Sequence, residues 1–225
     1  MNQFFNKYKL FLSIFFSICI IILMLFYDAL KLEKSLPVYS PSMVNFALVD
    51  STLQHVKKFH RIADFKLKNQ NNEWVTNKTF DKKIYVADFF FTTCPSICPI
   101  MTDNMSILQN FYKKDTLILL LSHSVTPKID SVAQLKKYAL EKGIIDKKWH
   151  LVTGPKKQIY DLARRSYLAA KNNGDGGPYD MIHTENFILV DPDQRIRGFY
   201  DGTLEEDIEK IKTDIELLRD EYSMN

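Results

Sequence analysis

Ile84-Tyr85-Val86-Ala87-Asp88-Phe89-Phe90-Phe91 is a largely apolar run, and Cys94-Pro95-Ser96-Ile97-Cys98-Pro99 follows it after two residues. The run has the length and bulk of a buried strand. Pro99 suits the first turn of a following helix, because its missing N–H would have no partner there. Free N–H groups at a helix N-terminus favour the thiolate, the form that attacks disulfides and binds soft metals. The stretch therefore predicts a reactive dithiol between a core strand and a helix.

The segments on either side predict one α/β domain. Upstream, residues 61–67 alternate apolar and polar side chains, a turn signal follows at 69–72, and residues 74–75 begin a return strand, so a hairpin is expected. Downstream, the pattern predicts strand 116–121, helix 131–142 closed by Gly143, strand 149–153, helix 156–169, strands 184–190 and 195–200, and helix 204–222. Parallel crossovers that lead into a terminal antiparallel hairpin, with a dithiol after the first core strand, are the thioredoxin arrangement. The predicted class is a thioredoxin-like α/β fold, a central mixed sheet flanked by helices with an N-terminal β-hairpin extension.

The amino end carries an uncharged apolar segment from Leu10 to Tyr27. As a helix it spans roughly 27 Å at about 1.5 Å per residue, close to the hydrocarbon thickness of a bilayer. A cleaved signal peptide would have a shorter apolar core and small residues at its cleavage site, which the residues after Tyr27 do not supply. The expected organisation is a tail at 1–9, a single transmembrane anchor at 10–27, a tether at 28–57 and the thioredoxin-like domain at 58–225.

The charged residues on either side of the apolar segment are only a weak indication of its orientation in the membrane. Lys7 and Lys9 favour a cytoplasmic tail, although Lys31 and Lys34 after the span reduce the bias. The domain is expected to face the periplasm from the inner membrane, where a dithiol can be oxidised. The net charge of +3 comes from 30 basic and 27 acidic residues dispersed along the chain, so no nucleic-acid partner is expected.

Histidines are the candidates for a third ligand beside the thiols. His183 is the strongest, because it follows a Gly-rich loop at 172–178 and opens a predicted strand, so it can close over the dithiol. His123 closely follows the predicted strand 116–121 and could lie on the same rim. The rest are expected to be surface or sheet-edge residues, namely His55, His60 and His150, while Cys19 in the apolar segment is expected to be inert.

Three chemistries remain open for the dithiol. Two thiolates and one imidazole form a soft three-ligand set that suits Cu(I), and Cu(II) with an added ligand, whereas structural zinc needs a fourth ligand such as His123. A redox pair is still feasible if the sulfurs of Cys94 and Cys98 can meet across the three intervening residues, although this wider spacing also suits a metal. A peroxidase has little support, because no arginine is evident beside Cys94. Burial as small apolar side chains is the alternative without chemistry.

Together these features resemble the Sco (SenC) family of copper-binding, thioredoxin-like membrane proteins. The resemblance rests on residues 90–101, Asp130-Ser131, residues 149–154, and His183 with residues 187–192. It implies that Cys94, Cys98 and His183 bind copper. It also implies a role in building the CuA centre of cytochrome c oxidase, with the oxidase subunit that carries this centre and a copper donor protein as partners.

Two features of the resemblance limit what it implies. Some family members act as thiol-disulfide reductants that keep the receiving cysteines of the oxidase reduced, so a metallochaperone and an oxidoreductase both remain expectations. Many relatives have Asp-Pro where this chain has Thr126-Pro127. No role of that aspartate is transferred to this chain.

Overall fold

The computed structural model describes residues 2–30, 35–44, 55, 60–170, 181–182 and 184–223. The chain divides into two units, Met1–Ser35 and Leu36–Asn225. The first unit contains helix α1 (Asn2–Leu30), within which Tyr8–Tyr27 has a mean hydropathy of 2.8. By length and composition this apolar segment can cross a membrane.

The second unit is built on a mixed sheet. Among the described residues it has seven strands: β1 (Lys66–Asn69), β2 (Trp74–Thr76), β3 (Ile84–Phe90), β4 (Ile118–Ser124), β5 (Trp149–Thr153), β6 (Asn186–Val190) and β7 (Ile196–Asp201). Their spatial order is β2-β1-β5-β4-β3-β6-β7. Strands β3, β4 and β5 are parallel, and every other pairing is antiparallel. The predicted N-terminal hairpin is β1–β2, and the C-terminal hairpin is β6–β7.

Helices cover both faces of this sheet. They are α2 (Ile97–Phe111), α3 (Val132–Glu141), α4 (Lys156–Asp161) and α5 (Glu205–Glu221). Side chains from α2, α3 and α5 pack on one face, which we call the α2 face, and its cluster includes Met101, Leu135 and Ile211. The opposite α4 face contains Ile159 and Tyr160. This architecture confirms the predicted mixed sheet flanked by helices.

Strand β3 shows why its sequence is almost wholly apolar. All seven of its residues are buried, because a parallel strand at the centre of the sheet is covered on both faces. Ile84, Val86 and Phe90 belong to the α2 face, whereas Tyr85 and the residues that alternate with it belong to the α4 face. Each buried side chain of this size contributes about 1.5–3 kcal/mol relative to exposure. The strand therefore gives the following dithiol loop a rigid support.

Three predicted boundaries were wrong. Residues 61–65 precede β1 rather than forming it, because side chains satisfy their backbone: Ser166 Oγ accepts from Ala63 N at 2.6 Å and Asn77 Oδ1 accepts from Phe65 N at 2.9 Å. The helix predicted over 156–169 is α-helical only in α4 and continues as a π-helical turn over Leu162–Ser166. The strand predicted over 116–121 begins at Ile118 and runs on to Ser124.

Other predicted features agree or fall outside the described residues. Helix α3 is followed by Gly143 at φ +65°, a conformation that glycine adopts without steric cost, as expected for its C-terminal cap. The Gly-rich loop at 172–178, His183 and most of the proposed tether lie outside the described residues.

Candidate functional site

Cys94 lies in the turn that follows β3. Its backbone N–H donates to the carbonyl of Phe91 at 3.3 Å, and α2 begins at Ile97 after the N-cap residue Ser96. The thiol is partly exposed and carries no disulfide. Cys94 therefore lies at the carboxyl end of the central strand and directly before the N-terminus of a helix, as predicted.

A buried carboxylate holds this loop in place. Asp130 accepts hydrogen bonds from Thr92 Oγ1 at 2.5 Å, Ser124 Oγ at 2.6 Å and Thr126 Oγ1 at 2.9 Å, and it is fully buried. These bonds join the loop after β3 to the segment after β4. The positioning role of Asp130 was not predicted, because hydrogen-bond partners on two other loops cannot be recognised from a linear sequence.

The hydrogen bonds around Asp130 also give Thr126 a structural role. The hydroxyl of Thr126 donates to Asp130 at 2.9 Å. Thr126 is only partly buried, and its backbone N–H bonds to Ser124 Oγ at 3.2 Å. Thr126 therefore helps to hold the segment after β4 against Asp130, which also anchors the dithiol loop.

Cys98 is the second residue of α2 and is buried, with 3% of its surface exposed. It belongs to the cluster on the α2 face, and the partly buried Cys94 packs against that cluster. Each thiol affects the pKa of the other, so the two side chains are neighbours. The side chains of Cys94 and Cys98 therefore meet at one point, with one thiol accessible to solvent and the other enclosed.

The two thiols differ sharply in acidity. Partial burial opposes ionisation of Cys94, yet hydrogen bonds from the backbone N–H groups of Ser96 and Cys98, and from their side chains, lower the pKa of Cys94 overall. Burial raises the pKa of Cys98 to about 12; a hydrogen bond from the Phe91 backbone opposes this, while Cys94 and Asp88 add to it. Cys94 is therefore the more acidic thiol of the pair, and Cys98 is the less acidic one.

A polar layer lies beneath Cys98 on the α2 face. Trp149 Nε1 donates to Ser122 Oγ at 2.8 Å, and the hydroxyl groups of Thr102 and Tyr138 are 2.8 Å apart. Asp88 belongs to this layer; its Oδ1 is buried and has no hydrogen-bond partner among the described residues. Burial raises the pKa of Asp88 to about 7, and a hydrogen bond from Ser122 only partly opposes this. An acid that titrates near neutral pH therefore lies close enough to Cys98 to raise the pKa of its thiol.

His123 does not lie beside the dithiol, contrary to the predicted possibility. It is inside β4, fully buried, and its ring contacts Phe65, Phe89 and Tyr167 on the α4 face. Burial lowers the pKa of His123 to about 4, so the ring is neutral. A zinc site completed by His123 is excluded, because the sheet separates its ring from Cys98.

The other three described histidines, His55, His60 and His150, differ in how far they are buried. His150 is not an exposed edge residue but lies buried in β5, where its Nδ1 is 3.3 Å from Asn69 Nδ2. His60 Nε2 lies 2.7 Å from the carbonyl of Ser166 and is only partly buried. His55 is exposed.

His183 lies outside the described residues, so its position beside the thiols stays a prediction. The residues on either side of it, Ile182 and Thr184, are buried, and β6 begins at Asn186. Strand β6 is antiparallel to β3 with Ile188 opposite Ala87. Its first residue therefore lies at the edge of the sheet where β3 ends and the dithiol loop begins. Among the described residues, no group of three or more His, Cys, Asp or Glu side chains could hold a metal ion.

The SCO1/SenC family profile matches residues 54–218. This chain belongs to the SCO1/SenC family. It is 30% identical to a SCO1 protein homolog of Bacillus subtilis over 158 residues, which are 69% of this chain and 81% of that protein. The predicted family resemblance is thereby confirmed.

Solved structures of Sco proteins have the same fold. BsSco, a member of the Sco family of cytochrome c oxidase assembly proteins with an identified disulfide switch, matches with a TM-score of 0.61 and 29% identity over 71% of this chain and 93% of that one. Copper-bound ScoI of Bradyrhizobium japonicum matches with a TM-score of 0.54 and 27% identity over 69% and 99%. The thioredoxin-like class is thereby confirmed, and this Sco protein is homologous to oxidase assembly proteins.

Proposed function

We propose that this Sco protein is a membrane-anchored copper metallochaperone that holds copper on Cys94, Cys98 and His183 and assists assembly of the CuA centre of cytochrome c oxidase. The observation that carries the proposal is the unequal thiol pair, in which a partly exposed, more acidic thiol and a buried, less acidic one lie together at the end of a rigid strand. Soft thiolate and imidazole ligands fit copper, and the copper-bound relative supports the choice of metal.

The chain's own residues would then perform three tasks. Hydrogen bonds from the backbone at the start of α2 lower the pKa of Cys94 and so favour the thiolate that binds metal. Asp130 fixes the loop that presents it. Cys98 would lose its proton on binding, and His183 would supply a neutral nitrogen. Transfer would proceed as thiolates of the oxidase subunit replace Cys94 first, since it is the more exposed ligand.

The organisation of the chain follows from this role. Residues 10–27 would anchor the protein in the inner membrane, after a cytoplasmic tail at 1–9 and before a tether at 28–57, and the domain at 58–225 would face the periplasm. The apolar length of α1 supports an anchor. A copper donor protein would load the site, and the oxidase subunit with the CuA site would receive the metal.

Replacing His183 with Ala tests the third ligand. Copper affinity of the full chain in detergent should fall at least tenfold, because outer contacts alone already change metal affinity by about 10–100-fold and a direct ligand should do no less. Competition titration against a chromophoric chelator measures the change. The matched control is His55→Ala, since His55 is exposed and outside the proposed site. Undiminished affinity in His183→Ala would remove this residue from the site.

A thiol-disulfide oxidoreductase is the second candidate, favoured by the difference in acidity between the two thiols. The thiolate of Cys94 would attack one sulfur of a disulfide in the oxidase subunit and release the other as a thiolate, which takes a proton. Cys98, after losing its proton, would attack Sγ of Cys94 and release the second partner thiol. The partner gains two electrons and two protons, and this chain keeps a Cys94–Cys98 disulfide. BsSco, with its disulfide switch, is a related precedent.

A redox titration separates the two candidates. In a Cys19→Ser background the dithiol should form an intramolecular disulfide with a midpoint between about −300 and −180 mV, the span of structural and catalytic pairs. Before oxidation, an alkylating reagent at neutral pH should modify Cys94 first, as mass spectrometry can show. A pair that remains reduced across this whole range would exclude the oxidoreductase and leave the metallochaperone. Copper binding and disulfide formation use the same sulfurs, so loading with copper should block oxidation.

A further inference from the structure

Lysine pairs precede each of the three parallel strands. They lie at the end of the sheet opposite the dithiol, because Cys94 follows the carboxyl end of β3. We call this set the basic edge; its members are Lys82 and Lys83 before β3, Lys113 and Lys114 before β4, and Lys147 and Lys148 before β5. The seven residues of β3 separate the basic edge from the dithiol by roughly 20 Å.

Most of these charges are available to a partner. The side chains of four are exposed, and none of the four makes an ion pair with another described residue: Lys82, Lys113, Lys114 and Lys147. Lys83 donates to the carbonyl of Thr116 at 2.7 Å, and the buried Lys148 donates to the carbonyls of Asp115 and Ile118. Lys83 and Lys148 thus bond to backbone carbonyls, and neither forms an ion pair with a carboxylate among the described residues.

The acidic residues nearby do not cancel the positive charge. Asp115 pairs with Arg219 at 3.0 Å, and Asp146 pairs with Lys136 at 3.1 Å. Both cations come from outside the basic edge. Asp81 is exposed and is the remaining acid in these three loops. The basic edge therefore carries a clear excess of positive charge.

The surface is also concave at this point. A depression of about 460 Å³ is lined by Lys83, Lys113, Lys147 and Lys148, together with the hydroxyl residues Thr79 and Thr116. Asp115 and Asp146 also line it, and their carboxylates pair with Arg219 and Lys136. Ammonium and hydroxyl donors that surround one depression match the oxygen atoms of a phosphate group. The chemistry that fits this surface is a phosphate monoanion with solvent on its open side.

The second unit begins at this edge of the sheet. Arg197 donates to the carbonyls of Leu36 and Pro37, and Tyr39 N donates to Ile196 O at 2.8 Å. Ile196 opens β7 opposite Val190, which in turn pairs with Tyr85 near the start of β3, so the chain enters the domain at the same edge of the sheet. Eight residues lie between Tyr27, where the apolar span ends, and Leu36, and a chain of that length can cover at most about 30 Å.

We propose that the basic edge binds the phosphate headgroups of anionic phospholipids, a role that rests on α1 being the membrane anchor of the proposed function. Attraction of lysines to an anionic membrane surface acts within about 10 Å and needs no fixed pose for each side chain. Binding in this way would turn the opposite edge, with Cys94, toward the water and toward soluble or membrane partners. The tether limits the distance, and the basic edge sets the orientation.

Lysine acetylation in lipid nanodiscs tests this surface on the full chain. The protein is placed in discs of phosphatidylcholine alone or with added phosphatidylglycerol, and mass spectrometry follows acetylation of each lysine by a water-soluble reagent. With phosphatidylglycerol, the acetylation rates of Lys82, Lys113, Lys114 and Lys147 should fall about fivefold, the effect of one lysine near an anionic surface. Lys137 and Lys157, whose side chains are 71% and 84% exposed, serve as internal controls. High salt should abolish the protection.

Each outcome decides the proposal. Equal acetylation rates in both kinds of disc would overturn it, as would equal protection of the two control lysines. Protection by added glycerol phosphate in discs of phosphatidylcholine alone would also overturn it, in favour of a site for small free anions. A variant with Lys82, Lys113, Lys114 and Lys147 changed to Glu should show equal acetylation of the remaining Lys83 in both kinds of disc. A variant with Lys137→Glu and Lys157→Glu should keep the difference at the four exposed lysines of the basic edge. Incorporation into discs tests the anchor separately, and copper loading of the same discs tests the proposed function.

Discussion

Replacing Cys94 or Cys98 with Ser is expected to lower the copper affinity of the full chain by more than a hundredfold. A hydroxyl is a hard, weakly acidic ligand, and losing a soft thiolate removes a direct bond to the metal rather than an outer contact. Competition titration with Cu(I) under reducing conditions measures the affinity. The thiolate-to-Cu(II) absorption band should disappear in the same two variants.

Cys19→Ser is the matched control, because it removes the third cysteine of the chain while leaving the dithiol intact. Its copper affinity should equal that of the parent protein. Cys98 is buried, so circular dichroism and thermal unfolding must show that its variant is folded, with Cys98→Ala as a second, apolar replacement. Retention of full affinity in a folded Cys94 or Cys98 variant would contradict copper binding by this pair.

Replacing Asp88 with Asn should make the protein more stable at pH 8, by up to about 4 kcal/mol. The buried carboxyl of Asp88 has a pKa of about 7 against an ordinary value of 3.8, and one pKa unit corresponds to about 1.4 kcal/mol. The folded state therefore holds a proton that the unfolded state loses. The stability that Asp88 contributes through this proton is fully present below pH 3.8 and is lost as the pH rises toward 7. Above pH 7 the buried, ionised carboxyl destabilises the folded state by a constant amount.

The buried histidines have the opposite effect on how stability depends on pH. Burial lowers the pKa of His123 to about 4, and it also lowers the pKa of His60 and His150. Between pH 4 and 6.5 the unfolded state binds more protons at these sites, so their contribution to stability rises with pH. The effects of Asp88 and His123 on the pH dependence of stability therefore partly cancel in the parent protein. In Asp88→Asn the cancellation is gone, and stability should rise more steeply from pH 4 to 6.5.

Urea unfolding of the parent and the variant across pH 4–8 tests this prediction. The difference in the free energy of unfolding between the two proteins isolates Asp88, because the histidines are common to both. It should grow from near zero at pH 4 to its full size above pH 7. Asp81→Asn, at an exposed position, should produce no such trend. A difference that does not change with pH would show that Asp88 is ionised throughout.

The dithiol and its support were predictable from sequence because they rest on local patterns. An apolar run of strand length followed by cysteine and proline at a helix start has few alternative structures. The five strands from β3 to β7 also lie close to where hydrophobicity placed them. These features depend on residues that are near each other in the chain.

His123 shows what sequence could not supply. The apolar run from residue 116 to 121 ends before it, so a strand seemed complete, yet pairing with β3 extends β4 through Ser124. Residues 122–124 are polar and nevertheless buried, because Trp149, Asp88 and Asp130 provide partners for them. Once β4 is extended, alternation of side chains turns His123 to the α4 face, away from Cys98. Long-range pairing decided this outcome, and a single sequence does not reveal it.

X-ray absorption at the copper edge most directly tests the proposed three-ligand site. The full chain loaded with one copper per protein should show two sulfur scatterers and the outer-shell pattern of one imidazole. His183→Ala should lose the imidazole pattern and keep both sulfurs, while Cys94→Ser and Cys98→Ser should each lose one sulfur. An imidazole pattern that persists in His183→Ala, or a parent spectrum without sulfur, would contradict the site.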